Sequence, residues 1–543
     1  MSKHPFENPL ENLLDDPPEK LSEKNIKAQK ITPLMKSSIK PGFANVKTEL
    51  ALVTKPNHVL PQNRLVIVSN REPYTINREG KELKLEKTPG GLVSALDPVL
   101  RQRKGLWVCW EGAPQKSTEF DDVSDDDALL EEDFLLPYQI QSVTLSEEEI
   151  NHYYFGYANA RIWPLFHYFV SRCNFFDEKD WPSYYSANQK FAAVVIDNTT
   201  DDDLIWVQDY HLMLVPEMVR LQAPNRKIGF FLHIPFPSVE IFKALSSRDT
   251  LLRGMLGSDL IGFHVPDYVE HFLYAVHRLL PANEVSIDWQ NNTITRRGRT
   301  IAVKAFPISI DYNHIETLAK TPEMLKAANT LRQKYQSYQI NWVGLSVDRL
   351  DYSKGILEKL EAVRLFFVKY PEYKKKFTFI QIAAPTRTEV PAYKQMREDI
   401  DKAVGRINGE LSQDEWSPIQ YFYRSFSLNE VMPYFMIADL ALITPLRDGM
   451  NLVAKEYCAA KTQADGALLL SEFTGAATEL TDALLINPYN IENVADNIYQ
   501  AMHLSPEMRR EKMTALRGII QQNDIHAWVN LFMEAFDDAV AQR

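Results

Sequence analysis

Short apolar runs recur along the chain, each closing on polar residues and each followed by a stretch of helical period. Leu65-Val66-Ile67-Val68 ends in Ser69-Asn70-Arg71 and reads as a buried parallel strand opening into a loop. That loop continues through Glu72–Leu85 to Pro89-Gly90-Gly91, and a helix follows from Leu92. Leu204–Val207 repeats the motif with a helix from about His211. Ile228–Leu232 repeats it with a helix around Glu240–Ala244, and Leu260–Phe263 with a helix from Asp267. The rhythm restarts near Trp342, with strands expected at Val343–Ser346, Phe377–Ile382, Leu440–Ile443 and Leu468–Leu470. Strands alternating with helices imply parallel sheets with crossover helices.

The fold class expected is therefore α/β, with two doubly wound, Rossmann-like domains facing a cleft. The charged, weakly apolar helical stretch over residues 312–340 is a plausible junction between them. Ligands of such sheets sit beyond the carboxyl ends of the strands, so the polar loops after the strands are where chemistry is sought. Residues 1–62 lack any sustained period and are rich in Lys, Glu, Asp, Pro and Asn. They read as a disordered tail with a short helix near Asn12–Leu14. Residues 115–150 interrupt the rhythm, and Asp121–Asp127 reads as a solvated acidic surface segment. Asp201-Asp202-Asp203 precedes a strand, at the wrong end for a site, and reads as a turn rather than a metal ligand set.

Composition narrows the class. The 543 residues are 45% apolar, enough for two cores formed by burial alone. A net charge of -12 without a basic stripe argues against nucleic acid as a partner. Cys109, Cys173 and Cys458 form no CxxC pair, so they are expected to fill cores rather than staple loops or hold zinc. No apolar stretch approaches the ~18 residues of a membrane span, and the first residues lack an apolar signal core. The expectation is a cytoplasmic protein without a membrane partner.

Four strings carry chemistry. In Asp348-Arg349-Leu350-Asp351-Tyr352-Ser353-Lys354-Gly355, two cations on a loop after a strand can converge on one anion, such as a leaving diphosphate. The alternative is a surface ion pair of Arg349 or Lys354 with Asp348 or Asp351. In Pro445–Glu456, Gly449 permits close backbone approach, and Met450, Asn451 and Leu452 open a helix whose free amides suit phosphate oxygens. Asp448 is placed to accept from sugar hydroxyls and Glu456 from a ribose diol; the alternative is a capping Asp and a solvated Glu. His233 follows a strand and is aimed by Pro235 and Pro237, toward a sugar hydroxyl or a carbonyl, unless it is a structural histidine. Asp209, at another strand's end, suits sugar hydroxyls or a helix cap.

Together these strings resemble the trehalose-6-phosphate synthase family, glycosyltransferase family 20, over residues 64 to about 535. Ser69-Asn70-Arg71, Gly90-Gly91-Leu92, Gly262-Phe263-His264, Gly405–Gly409 and Ser471–Ala477 extend the resemblance. It implies the GT-B fold, with an acceptor domain over 63–325, a nucleotide-sugar domain over 326–510, and residues 511–543 crossing back as a helical segment. It implies a retaining glucosyltransferase that makes α,α-trehalose 6-phosphate from UDP-glucose or another nucleoside-diphosphate glucose and glucose 6-phosphate. No metal or other cofactor is implied. Arg349, Lys354, Asp448 and His233 would be catalytic. The donor would be held by Gly90, Gly91, His233, Arg349, Lys354, Asp448, Gly449, Met450, Asn451, Leu452 and Glu456. The acceptor would be held by Arg71, Tyr154, Trp163, Asp209 and Arg387, with Trp110 either a further aromatic there or a core residue. The departing phosphate would take the acceptor proton in a front-face attack. The product would pass to a separate trehalose-6-phosphate phosphatase, and a dimer or tetramer stays open. Departures from the family pattern are Ser309 where glycine is usual, Cys109-Trp110-Glu111-Gly112, and a long Glu72–Leu85 loop. The competing readings are the same fold with another acceptor, such as glycerol 3-phosphate or a pseudo-sugar phosphate, and a non-catalytic regulatory subunit. The retained acceptor residues argue against the first, and the retained donor charges against the second.

Overall fold

A computed structural model of the chain describes residues 64–542 apart from 80–81, 89–90, 104, 111–137 and 389. The expected tail, the acidic run Asp121–Asp127, Glu111-Gly112 and Gly90 lie outside the described residues. The strands run in chain order as β1 (Leu65–Arg71), β2 (Tyr74–Glu79), β3 (Glu82–Lys87), β4 (Leu106–Trp110), β5 (Gln139–Val143), β6 (Leu204–Gln208), β7 (Lys227–Phe231), β8 (Leu260–Phe263), β9 (Val285–Asp288), β10 (Thr293–Arg296) and β11 (Arg299–Ala305). A second set follows as β12 (Trp342–Arg349), β13 (Phe377–Ala384), β14 (Ile419–Phe422), β15 (Leu440–Ile443), β16 (Ala467–Ser471) and β17 (Leu484–Ile486).

The first sheet has the order β5-β4-β1-β6-β7-β8-β11-β10-β9, parallel as far as β11, with the antiparallel β10 and β9 added at one edge. The second is wholly parallel, ordered β14-β13-β12-β15-β16-β17. Both orders run outward from the first strand in two directions, so each sheet has a point where consecutive connections part. These points lie between β1 and β6 and between β12 and β15. A doubly wound sheet opens a crevice at that point. The continuously apolar runs became buried central strands, as in β1, where Leu65 to Val68 are wholly buried.

The final helix, Ile525–Ala541, lies on the first sheet. Phe532 stacks on Trp206 with centroids 4.0 Å apart, and the Trp528 indole donates to the Phe306 carbonyl at 3.2 Å. Phe532 rests over Gly229 and Gly262 on neighbouring strands; a Cβ at Gly262 would meet its ring at 2.9 Å. Lys455 from the second half donates to the Ile308 carbonyl at 2.9 Å, beside Ser309, whose buried hydroxyl has no partner among the described residues. No helix among the described residues is long and apolar enough to cross a membrane.

Several local expectations are corrected and others hold. Glu72–Leu85 is not a plain loop: β2 and β3 pair antiparallel as a two-stranded ribbon. Residues 139–143 form β5, parallel to β4, so the interruption at 115–150 includes an edge strand; its polar alternation masked it. The helix expected from His211 is a single turn of 3-10 helix, Tyr210–Leu212. The α-helix starts only at Val215–Gln222, where Pro216 suits the first turn. The helix expected around Glu240–Ala244 is one turn, Val239–Phe242. Residues 312–340 are two helices, Tyr312–Ala319 and Pro322–Ser337. Asp201–Asp203 is a turn, with Asp203 paired to buried Arg64 at 3.2 Å and Asp201 paired to Arg226. The three cysteines are free thiols, Cys109 and Cys458 buried and Cys173 half-buried.

Candidate active site

The loop after β12 places its charges differently from a surface ion pair. Asp348 turns inward and pairs with buried Lys359 at 2.7 Å. Asp351 turns to Arg387 at 2.7 Å. Arg349 is exposed, and no ion pair to it is found among the described residues; its guanidinium lies 5.4 Å from the Trp163 ring. Gly355 takes φ 61°, and a Cβ there would press on the Thr444 carbonyl at 2.6 Å, so this turn requires glycine. The turn brings Lys354 Nζ to Asp448 Oδ2 at 2.5 Å, joining the β12 loop to the β15 loop across the second sheet's crevice.

Asp448 is therefore not the helix cap. Asn451, at φ 79°, accepts from the Ala454 amide at 3.0 Å and also donates to Asp448 at 3.0 Å. The helix runs Leu452–Ala460, so of the three residues expected to open it only Leu452 is inside. Met450 is buried, and its carbonyl accepts from Ala476. Burial works to raise the Asp448 carboxyl, but Lys354 and Asn451 outweigh it and hold it below the usual range. Glu456 has no such partner among the described residues, and burial lifts its carboxyl to about 7. A carboxyl left this way accepts hydrogen bonds readily from an arriving diol.

Gly449 packs its backbone against the first half: a Cβ there would meet the His233 carbonyl at 2.6 Å. The His233 ring lies 2.9 Å from Gln208 Oε1, and burial, then His264, press its pKa well below the ordinary value. Both effects favour the neutral imidazole at His233. Its amide donates to Asp209 Oδ1 at 3.1 Å. Asp209 occupies φ 73° and accepts the Tyr210 and His233 amides rather than capping a helix. Burial raises its carboxyl to about 6 against those bonds.

The remaining acceptor candidates converge beside Asp209. Arg71, at the end of β1, donates to the Tyr154 hydroxyl at 2.6 Å. Tyr154 lies on a thirteen-residue π-helix, Ile150–Ile162, which no sequence period announced. Burial would raise its phenol, but Arg71, Arg387 and Arg349 together draw it below the ordinary value. Of the three guanidinium groups that act on this hydroxyl, Arg71 is the one in hydrogen-bond contact with it. Trp163 stacks under Arg387 at 4.0 Å, and its buried indole nitrogen has no partner among the described residues. Trp110 is a core residue at the end of β4, and its ring packs on Tyr154 at 5.6 Å. Gly91 begins the helix Gly91–Arg103.

Sequence reasoning missed the residues behind these. Tyr210 donates to Asn159 at 2.8 Å and receives Arg387 at 3.2 Å; Asn159 also holds the Tyr154 carbonyl at 2.8 Å. Tyr393 lies in the helix Pro391–Leu411, where nothing local distinguishes it. Asp351 stood in the singled-out string, but only as a surface partner. Among the described residues, one group brings histidine and carboxylate ligand atoms within 4.8 Å, namely His152, Asp177 and Asp180. Arg161 already lies 3.3 Å from Asp180, and none of the three belongs to the donor or acceptor set.

The two sheets thus place one constellation at each crevice, Arg71 with Asp209 and the Arg349 loop with Asp448. The family model for glycosyltransferase family 20 matches residues 63–538. A trehalose-6-phosphate synthase of Mycobacterium sp. (strain KMS) is 39% identical over 481 residues, covering 88% of this chain and 95% of that protein. A UDP-forming α,α-trehalose-phosphate synthase of Burkholderia xenovorans, solved in complex with glucose-6-phosphate, is 32% identical with a TM-score of 0.76, covering 88% of this chain and all of that one. An E. coli trehalose-6-phosphate structure bound with UDP-2-fluoro glucose is 34% identical with a TM-score of 0.76, covering 87% and 99%.

Proposed function

Because the chain belongs to glycosyltransferase family 20 and has its GT-B fold, we propose that its cleft transfers glucose from UDP-glucose to the anomeric hydroxyl of glucose 6-phosphate. Transfer proceeds with retention and yields α,α-trehalose 6-phosphate and UDP. The observation that carries this reading is the Trp163 ring, which lies under Arg387 at 4.0 Å and near Arg349 at 5.4 Å. A diphosphate-binding cation and an acceptor-phosphate cation thus share one wall.

In this reading Arg349 and Lys354 hold the donor diphosphate and stabilise the charge it gains as the glycosidic bond breaks. The loop of Gly449, Met450, Asn451 and Leu452 lines the donor with backbone, Gly90 and Gly91 close over the diphosphate, and Glu456 takes the ribose diol. Asp448 and neutral His233 hold glucose hydroxyls. Arg71, Arg387 and Tyr154 grip the acceptor phosphate, Trp163 offers its free indole N–H, and Asp209 accepts from acceptor hydroxyls. As the family resemblance implies, no carboxylate need act as a nucleophile; in the empty cleft Asp448 is paired with Lys354 and Asn451. The departing phosphate receives the acceptor's proton, and the protein contributes positioning and electrostatics. Two cations supply the charge that a metal would otherwise supply, so the reaction is metal-independent. The halves divide the work as an acceptor domain over 63–325 and a donor domain over 326–510. Residues 511–543 return to the first, a division supported by the seat of Phe532 on Trp206. Dephosphorylation of the product falls to a separate cytoplasmic enzyme.

The test is product analysis with glucose 6-phosphate or glycerol 3-phosphate as acceptor and a panel of UDP-, ADP- and GDP-glucose, with and without chelator. Trehalose 6-phosphate from UDP-glucose, unchanged by chelator, is expected. Transfer to glycerol 3-phosphate alone overturns the acceptor; loss under chelator overturns metal independence.

A further inference from the structure

One buried carboxylate joins the donor loop to the acceptor arginine. Asp351 lies between Arg349 and Lys354 in sequence and is wholly buried. Its Oδ1 accepts from the Ser353 amide at 2.9 Å, which shapes the turn that carries Lys354. Its Oδ2 accepts from Arg387 Nη1 at 2.7 Å and from the Tyr393 hydroxyl at 2.8 Å. Arg387 also donates to Tyr393 at 2.5 Å, and its side chain is only 4% exposed. Burial works to raise the Asp351 carboxyl, but Arg387 and Arg349 hold it far below the usual carboxylate range.

Arg387 needs such a partner for two reasons. A buried guanidinium without a counter-charge is costly, and this one must stay buried while the cleft is empty. Its backbone also sits at φ 48°, an unfavourable region for a residue with a side chain, so local preference does not hold the loop in place. The remaining contacts, Tyr210 at 3.2 Å and the Trp163 face at 4.0 Å, restrain the head group without neutralising it.

We propose that Asp351 is a positioning residue for the acceptor: it holds Arg387 buried and aimed at the acceptor phosphate while the cleft is empty. This rests on the reaction proposed above. Because the same carboxylate shapes the Lys354 turn, it also ties the acceptor arginine to the donor loop. Asp351→Asn separates the two duties. The amide oxygen still accepts from Ser353, whereas the charge opposite Arg387 is gone.

The experiment is steady-state kinetics of Asp351→Asn, Arg387→Ala and the double variant, with melting curves for each. Asp351→Asn is expected to raise KM for glucose 6-phosphate about tenfold while moving KM for UDP-glucose less than about threefold. In the Arg387→Ala background it is expected to add nothing, since its effect passes through that side chain. Equal effects on both substrates, or full additivity in the double variant, overturn the proposal. Tyr393→Phe removes a hydroxyl bonded to both groups and leaves every charge in place. It is expected to give the same split at smaller amplitude, and it decides the question if Asp351→Asn does not fold. Wild-type protein that forms no trehalose 6-phosphate would sink the underlying reaction instead.

Discussion

Asp209 accepts two backbone amides and is still raised to about 6, because burial outweighs them. Such a group binds hydroxyls best as the anion, so acceptor binding should strengthen as pH rises through about 6. The sign for stability is opposite: the unfolded chain ionises this carboxyl near the ordinary value, so the group costs stability above that value and most above 6. The acceptor's own phosphate ionises near pH 6 as well, so the measurement is a comparison. KM for glucose 6-phosphate should fall with pH more steeply in wild type than in Asp209→Asn, and identical profiles would remove Asp209 from the acceptor site. Arg349→Ala should lower kcat on the order of 100-fold, about 3 kcal/mol of transition-state stabilisation, with an unchanged melting temperature. Turnover at the wild-type rate would reject its role. Both residues were legible in the sequence because each closes an apolar strand with a charge, where the fold puts its ligands. Tyr393, Asn159 and the true partner of Asp351 were not. Their importance comes from contacts made between distant segments, and no local period or spacing records those.

Elements were legible in proportion to how fully they are buried. Central strands such as β1 and β15 appeared as unbroken apolar runs; β5, half-buried at an edge, did not. The β2–β3 ribbon was hidden for a related reason, since among the described residues its two strands pair only with each other. The π-helix is the clearest gap. Gly156 within it lets the backbone approach Asp180, where a Cβ would collide with the carboxylate, and that reason exists only in three dimensions. Conversely, the structure explains a motif that the sequence could only match. Gly262 and Gly229 form the seat for Phe532 of the last helix. Phe532→Ala should therefore cost about 3–5 kcal/mol in urea unfolding, as for a large aromatic lost from a core. A loss below 1 kcal/mol would show that the helix is not integral to the first half.

At the scale of the molecule, each sheet presents its parting point to the other, and the two sets of polar loops meet there. One tight backbone approach between them is Gly449 against His233. Gly449→Ala should raise KM for UDP-glucose at least tenfold, because a methyl group must push one half away from the other or reshape the donor loop. Activity within twofold of wild type would mean that the contact is slack. The pair of Lys354 with Asp448, at 2.5 Å, has a further consequence for the empty protein. On the proposed assignment, the ammonium given to the diphosphate and the carboxylate given to the sugar pair with each other in the empty cleft. A ligand that offers only one of these partners frees the other group into a buried setting without replacement. If the proposed assignment holds, a nucleotide sugar exchanges both contacts at once, and the resting cleft should bind the intact donor in preference to its fragments.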